Sequence, residues 1–91
     1  MDELDEAIRQ IVDSISAGLV FDNHTVIQKL IEEYSDTYLS SFSGGTTEGY
    51  HGLIIAQKIR DLGESFVILR RKAYSKNIHG KYTECDCWVK K

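Results

Sequence analysis

The side chains able to do chemistry are few. Two cysteines sit in a Cys85-Asp86-Cys87 run, histidines stand at 24, 51 and 79, and Arg70-Arg71-Lys72 is a block of three cations. On a strand, residues two apart share a face, so both thiols point the same way and Trp88 alternates to the other. Tetrahedral zinc wants four ligands, with paired cysteines usually held in a tight knuckle. With only His24, His51 and His79 to complete the set, the ligand count falls short, and neither a metal nor a cofactor is expected. The thiol pair reads as inward-facing beside Trp88 and Val89, and Trp88 either covers the sheet or meets a partner. Nucleophilic catalysis needs a base and an orienting group beside Ser or Cys, and no such elbow or pairing is recognisable. The carboxylates near the N-terminus lie on a solvated face without the burial that tunes a catalytic pKa. Gly44-Gly45 has the look of a phosphate loop, but no GxxxxGK[ST] or GxGxxG accompanies it. No catalytic residue is assigned, and an enzyme is not expected.

Ninety-one residues, 42% of them apolar, make a single domain with one modest core. No apolar run approaches the roughly 18 residues of a membrane span. The opening MDELDEAIRQ is acidic where a secretory signal is basic and then apolar. These features predict a soluble, cytoplasmic protein whose cysteines are free thiols. The net charge of −3 hides an asymmetry. Residues 1–45 hold nine acids against Arg9 and Lys29, a balance of −7, whereas residues 46–91 hold nine bases against five acids, a balance of +4. Such polarity suits a domain that offers one end to a polyanion.

Leu4, Ile8, Ile11, Val12 and Ile15 recur at helical spacing, with acids crowding the first turn, and Gly18 stands where a C-terminal cap belongs. A helix over about 3–17 follows. Leu19, Val20 and Phe21 form a short extended piece. Asp22 or Asn23 then caps a second helix over about 23–34, striped with Val26, Ile27, Leu30, Ile31 and Tyr34. His24 in its first turn reads as structural or surface. Residues 36–42 either prolong that helix or begin a new turn. Ser43-Gly44-Gly45-Thr46-Thr47 is the clearest loop, and Thr46 or Thr47 caps a third helix over about 47–62.

At about 100° per residue, Gly52, Ile55, Ala56, Ile59 and Leu62 of that helix share the core face. Thr47, Tyr50, Ile54, Gln57, Lys58 and Asp61 then look outward. Tyr50 and Gln57 reach base edges or phosphates in this arrangement, and Lys58 takes a phosphate. Ile54 contacts a thymine methyl, packs in a dimer, or signals a rotated face. Gly63 ends the helix and Phe66-Val67-Ile68-Leu69 opens a strand that carries Arg70, Arg71 and Lys72 onward. Because strand side chains alternate, at least one of these cations lies over the core side. Asn77 to Lys81 forms the turn and Tyr82 to Lys90 the returning strand, with Lys76, Asn77, His79 and Lys81 at the tip.

The predicted class is α+β, three helices followed by a C-terminal β-hairpin over about 66–90. In element order, in the Gly44-Gly45 turn and in the Asn77–Lys81 tip, the chain resembles a winged helix-turn-helix domain over most of its length. No family-specific motif accompanies the resemblance, and the acidic balance, Asp61 and Ile54 depart from a typical DNA binder. The resemblance implies a small transcriptional regulator that binds double-stranded DNA, with a homodimer to extend the few bases one short helix can read. Helix 47–62 is then the reading helix and the hairpin the wing. The candidate DNA-binding residues are Thr47, Tyr50, Gln57, Lys58, Arg70, Arg71, Lys76, Asn77, His79 and Lys81. The alternative it implies is a non-enzymatic winged helix that binds another protein through Ile54, Tyr50 and Trp88.

Overall fold

The computed structural model describes residues 2–42 and 44–91; Ser43, in the predicted loop, lies outside them. The elements are α1 (Glu3–Asp13), β1 (Val20–Asp22), α2 (Asn23–Glu33), α3 (Ser35–Ser41), α4 (Thr47–Gly49), a π-helical segment (Tyr50–Ile55), α5 (Ala56–Arg60), β2 (Val67–Lys76) and β3 (Tyr82–Lys90). The class is α+β, as predicted, with one antiparallel sheet in the order β1-β3-β2. Two features go beyond three helices and a hairpin: α3 is a separate short helix, and β1 joins the sheet as a third strand. No helix among the described residues is long and apolar enough to cross a membrane.

The first helix begins on a capping box in which Asp2 and Asp5 each accept from the other's backbone N–H. This arrangement satisfies two of the donors that a helix start leaves exposed. It buries Leu4, Ala7, Ile8, Ile11 and Val12 but ends at Asp13, four residues before the predicted end. Ser14 turns its hydroxyl back onto the Ile11 carbonyl at 2.6 Å, a local bond that competes with helix continuation. Gly18, at φ +88°, stands in the turn before β1 and not at the helix end. Its N–H donates to Lys90 O at 2.8 Å, leading the chain into β1.

β1 pairs with β3 through Val20↔Val89, Phe21↔Trp88 and Asp22↔Cys87. Its last residue also starts the next helix, because Asp22 accepts from the Thr25 N–H at 2.9 Å. Asn23, free of that capping duty, is buried and accepts a 2.7 Å hydrogen bond from Trp88 Nε1. Trp88 is therefore a core residue at 3% exposure, while Cys85 and Cys87 are half-buried on the opposite face. The expected inward-facing thiols are corrected here: strand alternation assigns the core to the larger side chain.

Thr46 caps α4, accepting from the Gly49 N–H at 3.0 Å. The following π segment changes which side chains face inward. Tyr50, Ile55 and Ile59 are the buried residues of this stretch, at 4%, 0% and 0% exposure. In a regular α-helix Tyr50 and Ile55 would lie about 140° apart; the wider π turn brings residues five apart into line. Tyr50 thus moves from the predicted outer face to the core. Gly52 moves out, and a Cβ built there meets nothing within 4 Å, so it is not a close-approach glycine.

β2 and β3 pair from Val67↔Lys90 to Lys76↔Tyr82, with a bulge between Leu69 and Arg71. The extra residue is Arg70, which leaves Arg71 opposite Cys87 and Lys72 opposite Asp86. The turn is closed by Asn77, whose Oδ1 accepts from the N–H of His79 at 2.9 Å and of Lys81 at 3.1 Å, with Gly80 at φ +81°. The buried Asn23–Trp88 bond ties α2 to the central strand. Replacing Asn23 by Ala leaves a buried indole N–H without a partner and should cost about 1–3 kcal/mol, measured by urea denaturation with Trp88 fluorescence as the probe.

Candidate nucleic-acid interface and the adjoining cleft

The helical stretch 47–60 and the hairpin tip border one cleft of ≈ 370 Å³, which also reaches the start of α2. Gln57, Asn77 and His79 line it, so three predicted site residues are brought together. All three histidines, His24, His51 and His79, line it as well. Its charge is mixed, because Glu48, Glu84 and Asp86 stand on its walls beside Arg60 and Lys72. A continuous positive surface across helix and hairpin is not what these walls present.

Asp86 explains much of this. The carboxylate is buried, with its side chain 6% exposed, and accepts from Arg60 Nη2 at 2.6 Å and Lys72 Nζ at 2.8 Å. Burial by itself raises its pKa, but the hydrogen bonds and charges of Lys72 and Arg60 outweigh burial and hold the group below the usual carboxylate range. Lys72 is the cation of the Arg70-Arg71-Lys72 block held on the Asp86 side, while its ammonium stays largely in solvent.

The predicted reading helix is altered further. Tyr50 is buried, its hydroxyl donates to Tyr38 O at 2.9 Å, and it cannot reach a base edge. Lys58 reaches back to the α1 capping box, pairing with Asp5 at 2.5 Å and Asp2 at 3.3 Å. The Asp5 hydrogen bond foremost raises the Lys58 pKa. Its ammonium is engaged within the fold, a correction to its role as a phosphate ligand. Gln57 is exposed and donates from Nε2 to Asp61 Oδ1 at 2.9 Å, leaving its carbonyl oxygen outward. Thr47 is half-buried. Among the remaining exposed side chains of this stretch, beside Glu48 and Arg60, are two large apolar ones, Leu53 at 77% and Ile54 at 43%.

The hairpin differs. Arg70, Arg71, Lys76 and Lys81 are exposed, and none has an ion-pair partner among the described residues. Tyr74 and Tyr82 stack across the strands with centroids 6.0 Å apart and planes at 25°. Both are largely exposed, at 70% and 58%, and Lys76 Nζ lies 5.9 Å from the Tyr82 centroid. Sequence reading missed this pair. The signal was present: a hairpin turning at Asn77–Lys81 sets 76 opposite 82 and so makes 74 and 82 diagonal neighbours.

At the cleft's inner end, His51 Nε2 shares a 2.7 Å hydrogen bond with the Tyr38 hydroxyl. Burial first, then the nearby charge of His79, lowers the His51 pKa. His24, predicted as structural or surface, is hydrogen-bonded on both ring nitrogens, Nδ1 to Ser75 Oγ at 2.6 Å and Nε2 to Thr83 Oγ1 at 3.3 Å. Comparison with family models, curated proteins and solved structures finds no match, so a functional reading rests on these residues themselves.

The Asp86 site makes a pH-dependent contribution of defined sign. Its folded pKa is depressed, so its stabilisation is fully present above the unfolded value near ~3.9 and is lost as pH falls through the folded value. Asp86→Asn should cost about 1–3 kcal/mol at neutral pH, and the gap to wild type should close below about pH 4. Urea titrations of both proteins at several pH values measure it; a gap that stays constant into acid would refute the assignment.

Proposed function

We propose that the domain is a winged helix that binds double-stranded DNA chiefly through its hairpin. The order of helices and strands, with β1 and β2 flanking β3, supports the winged-helix reading. The observation that carries the DNA reading is the set of exposed cations on one hairpin, Arg70, Arg71, Lys76 and Lys81, without ion-pair partners among the described residues, together with the exposed Tyr74–Tyr82 stack near its tip. Cations neutralise phosphates and release counterions, while the tyrosine faces and the Lys76 stem supply apolar contact to sugars or bases. The reading helix contributes less than its place in the order suggests, since Lys58 and Arg60 are tied to carboxylates. Leu53 and Ile54 remain for thymine methyl groups, and Gln57 Oε1 for a base amino group. Two copies on adjacent half-sites would supply the base contacts that one short helix lacks.

This reading sets a number for the salt dependence. Four neutralised phosphates give a slope of log affinity against log salt of roughly −3.6, measured by fluorescence polarisation with mixed duplexes. Lys76→Glu with Lys81→Glu should weaken binding strongly and flatten the slope by roughly 2. Affinity untouched by that double change would remove the hairpin from the interface.

A second reading has its own observation: Leu53 and Ile54 form an exposed apolar patch on a helix that lacks free cations. Such a patch suits a protein partner. Leu53→Ser with Ile54→Ser should abolish a protein contact, leave thermal stability within about 1 kcal/mol, and, because it adds no charge, leave the salt slope of DNA binding unchanged. Pull-down and polarisation of one variant therefore separate the two readings.

A further inference from the structure

The end of β1, the first turn of α2 and the middle of β3 converge on a second site, apart from the hairpin's cations. One ligand atom each from Asp22, His24 and Cys85 lies within 4.8 Å of the others. We propose that these three residues bind a thiophilic divalent transition ion of the Zn²⁺ class, with the fourth position left to water or an exogenous ligand.

The donor set selects the ion. A thiolate, an imidazole and a carboxylate are the ligands of zinc, cobalt and their neighbours, whereas magnesium and calcium take oxygen shells. Two anionic ligands against a dication leave the site electrically neutral. On binding, the Cys85 S–H proton passes to buffer as the sulfur bonds the metal. With metal–sulfur bonds near ~2.3 Å and metal–nitrogen or metal–oxygen bonds near ~2.1 Å, the three atoms must close by on the order of 1 Å. Rotations of the His24 and Cys85 side chains supply that movement, since the backbone places each residue already. Asp22 lies directly opposite Cys87 in the β1–β3 ladder, and Cys85 is its diagonal neighbour on the same face.

The surrounding shell is already built. Asp22 Oδ1 accepts from the backbone N–H and the hydroxyl of Thr25 at 2.9 and 3.0 Å, which fixes the carboxylate and leaves Oδ2 available. The His24 ring sits between Ser75 and Thr83. When one ring nitrogen takes the metal, the other keeps a hydroxyl partner, the arrangement that orients metal-bound histidines. Ser75 Oγ also lies 4.0 Å from Cys85 Sγ. An ion held here would pin the hairpin to the start of α2, adding to the Asn23–Trp88 bond and the His24 contacts with Ser75 and Thr83. The expectation of no metal counted His24 among the possible ligands but left out Asp22; the fold brings that carboxylate beside His24 and Cys85.

The test uses the full chain, stripped with chelator, kept reduced, and titrated with Co²⁺ followed by Zn²⁺ displacement. One equivalent of Co²⁺ should give a thiolate-to-cobalt charge-transfer band with tetrahedral-type visible absorption. Cys85→Ser should lose the band and Cys87→Ser should keep it. His24→Ala and Asp22→Asn, the latter keeping a capping oxygen, should each weaken Zn²⁺ binding at least about tenfold. Should Cys85→Ser fail to fold, Cys87→Ser decides: a band retained there upholds the proposal and a band lost overturns it. Absence of a thiolate band in wild type overturns the proposal, as does a band that survives Cys85→Ser and disappears in Cys87→Ser.

Discussion

A single buried carboxylate organises this domain. Asp86 sits in the central strand, the one strand with neighbours on both sides, and receives Arg60 from the end of α5 and Lys72 from β2. A charge at that depth is tolerated only when its lone pairs are met by strong donors. The two cations must therefore converge on it, which clamps the end of the helical stretch 47–60 to the base of the hairpin. The clamp sets the walls of the cleft between them. Beside it, Trp88 and Asn23 do the same for α2 with a neutral hydrogen bond. Helix and hairpin are thus held by polar contacts buried at the sheet as well as by the aliphatic core.

The same clamp decides which charges face outward. The C-terminal half of the chain carries a clear excess of bases, but Arg60 and Lys72 are committed to Asp86 and Lys58 to the acids that cap α1. The basic surplus that remains is concentrated on the hairpin and the C-terminal residues. On the proposed DNA-binding reading, this distribution gives the contact to the hairpin more than to the helix. The apolar residues left on the helix, Leu53 and Ile54, are what gives the protein-binding alternative substance.

The π segment is the second local feature with long consequences. One wide turn over Tyr50–Ile55 rotates the first half of the helix relative to a regular α-helix, exchanging Tyr50 for Gly52 on the inner face. Tyr50 then packs against Tyr38 and Phe42, at centroid distances of 5.2 and 5.1 Å. That cluster seats α3 against the helix and gives the short, otherwise unburied α3 a reason to fold. The π turn begins just after Gly49 and contains Gly52, two positions where helix propensity is weak and local geometry is cheaply altered.

Periodicity and punctuation alone determined the class, the first two helices, the hairpin with its turn, and Ile55 and Ile59 as core residues. Those features depend on spacing within a window of a few residues, and Asp, Asn, Thr and Gly mark their ends for local reasons. Even there, a bond made elsewhere moved a boundary: Gly18 looked like a helix cap and serves the sheet through Lys90. Contacts between residues far apart in the chain were not legible. Nothing near Lys58 announces Asp5, nothing near Asp86 announces Arg60, and nothing near Cys85 announces His24. Whether a cation is free or neutralised, and whether three scattered ligands meet, depends on distances that only the folded chain creates. The geometry of the hairpin was therefore readable, because its strands are neighbours in sequence, and that of the helix was not, because its partners lie elsewhere in the chain.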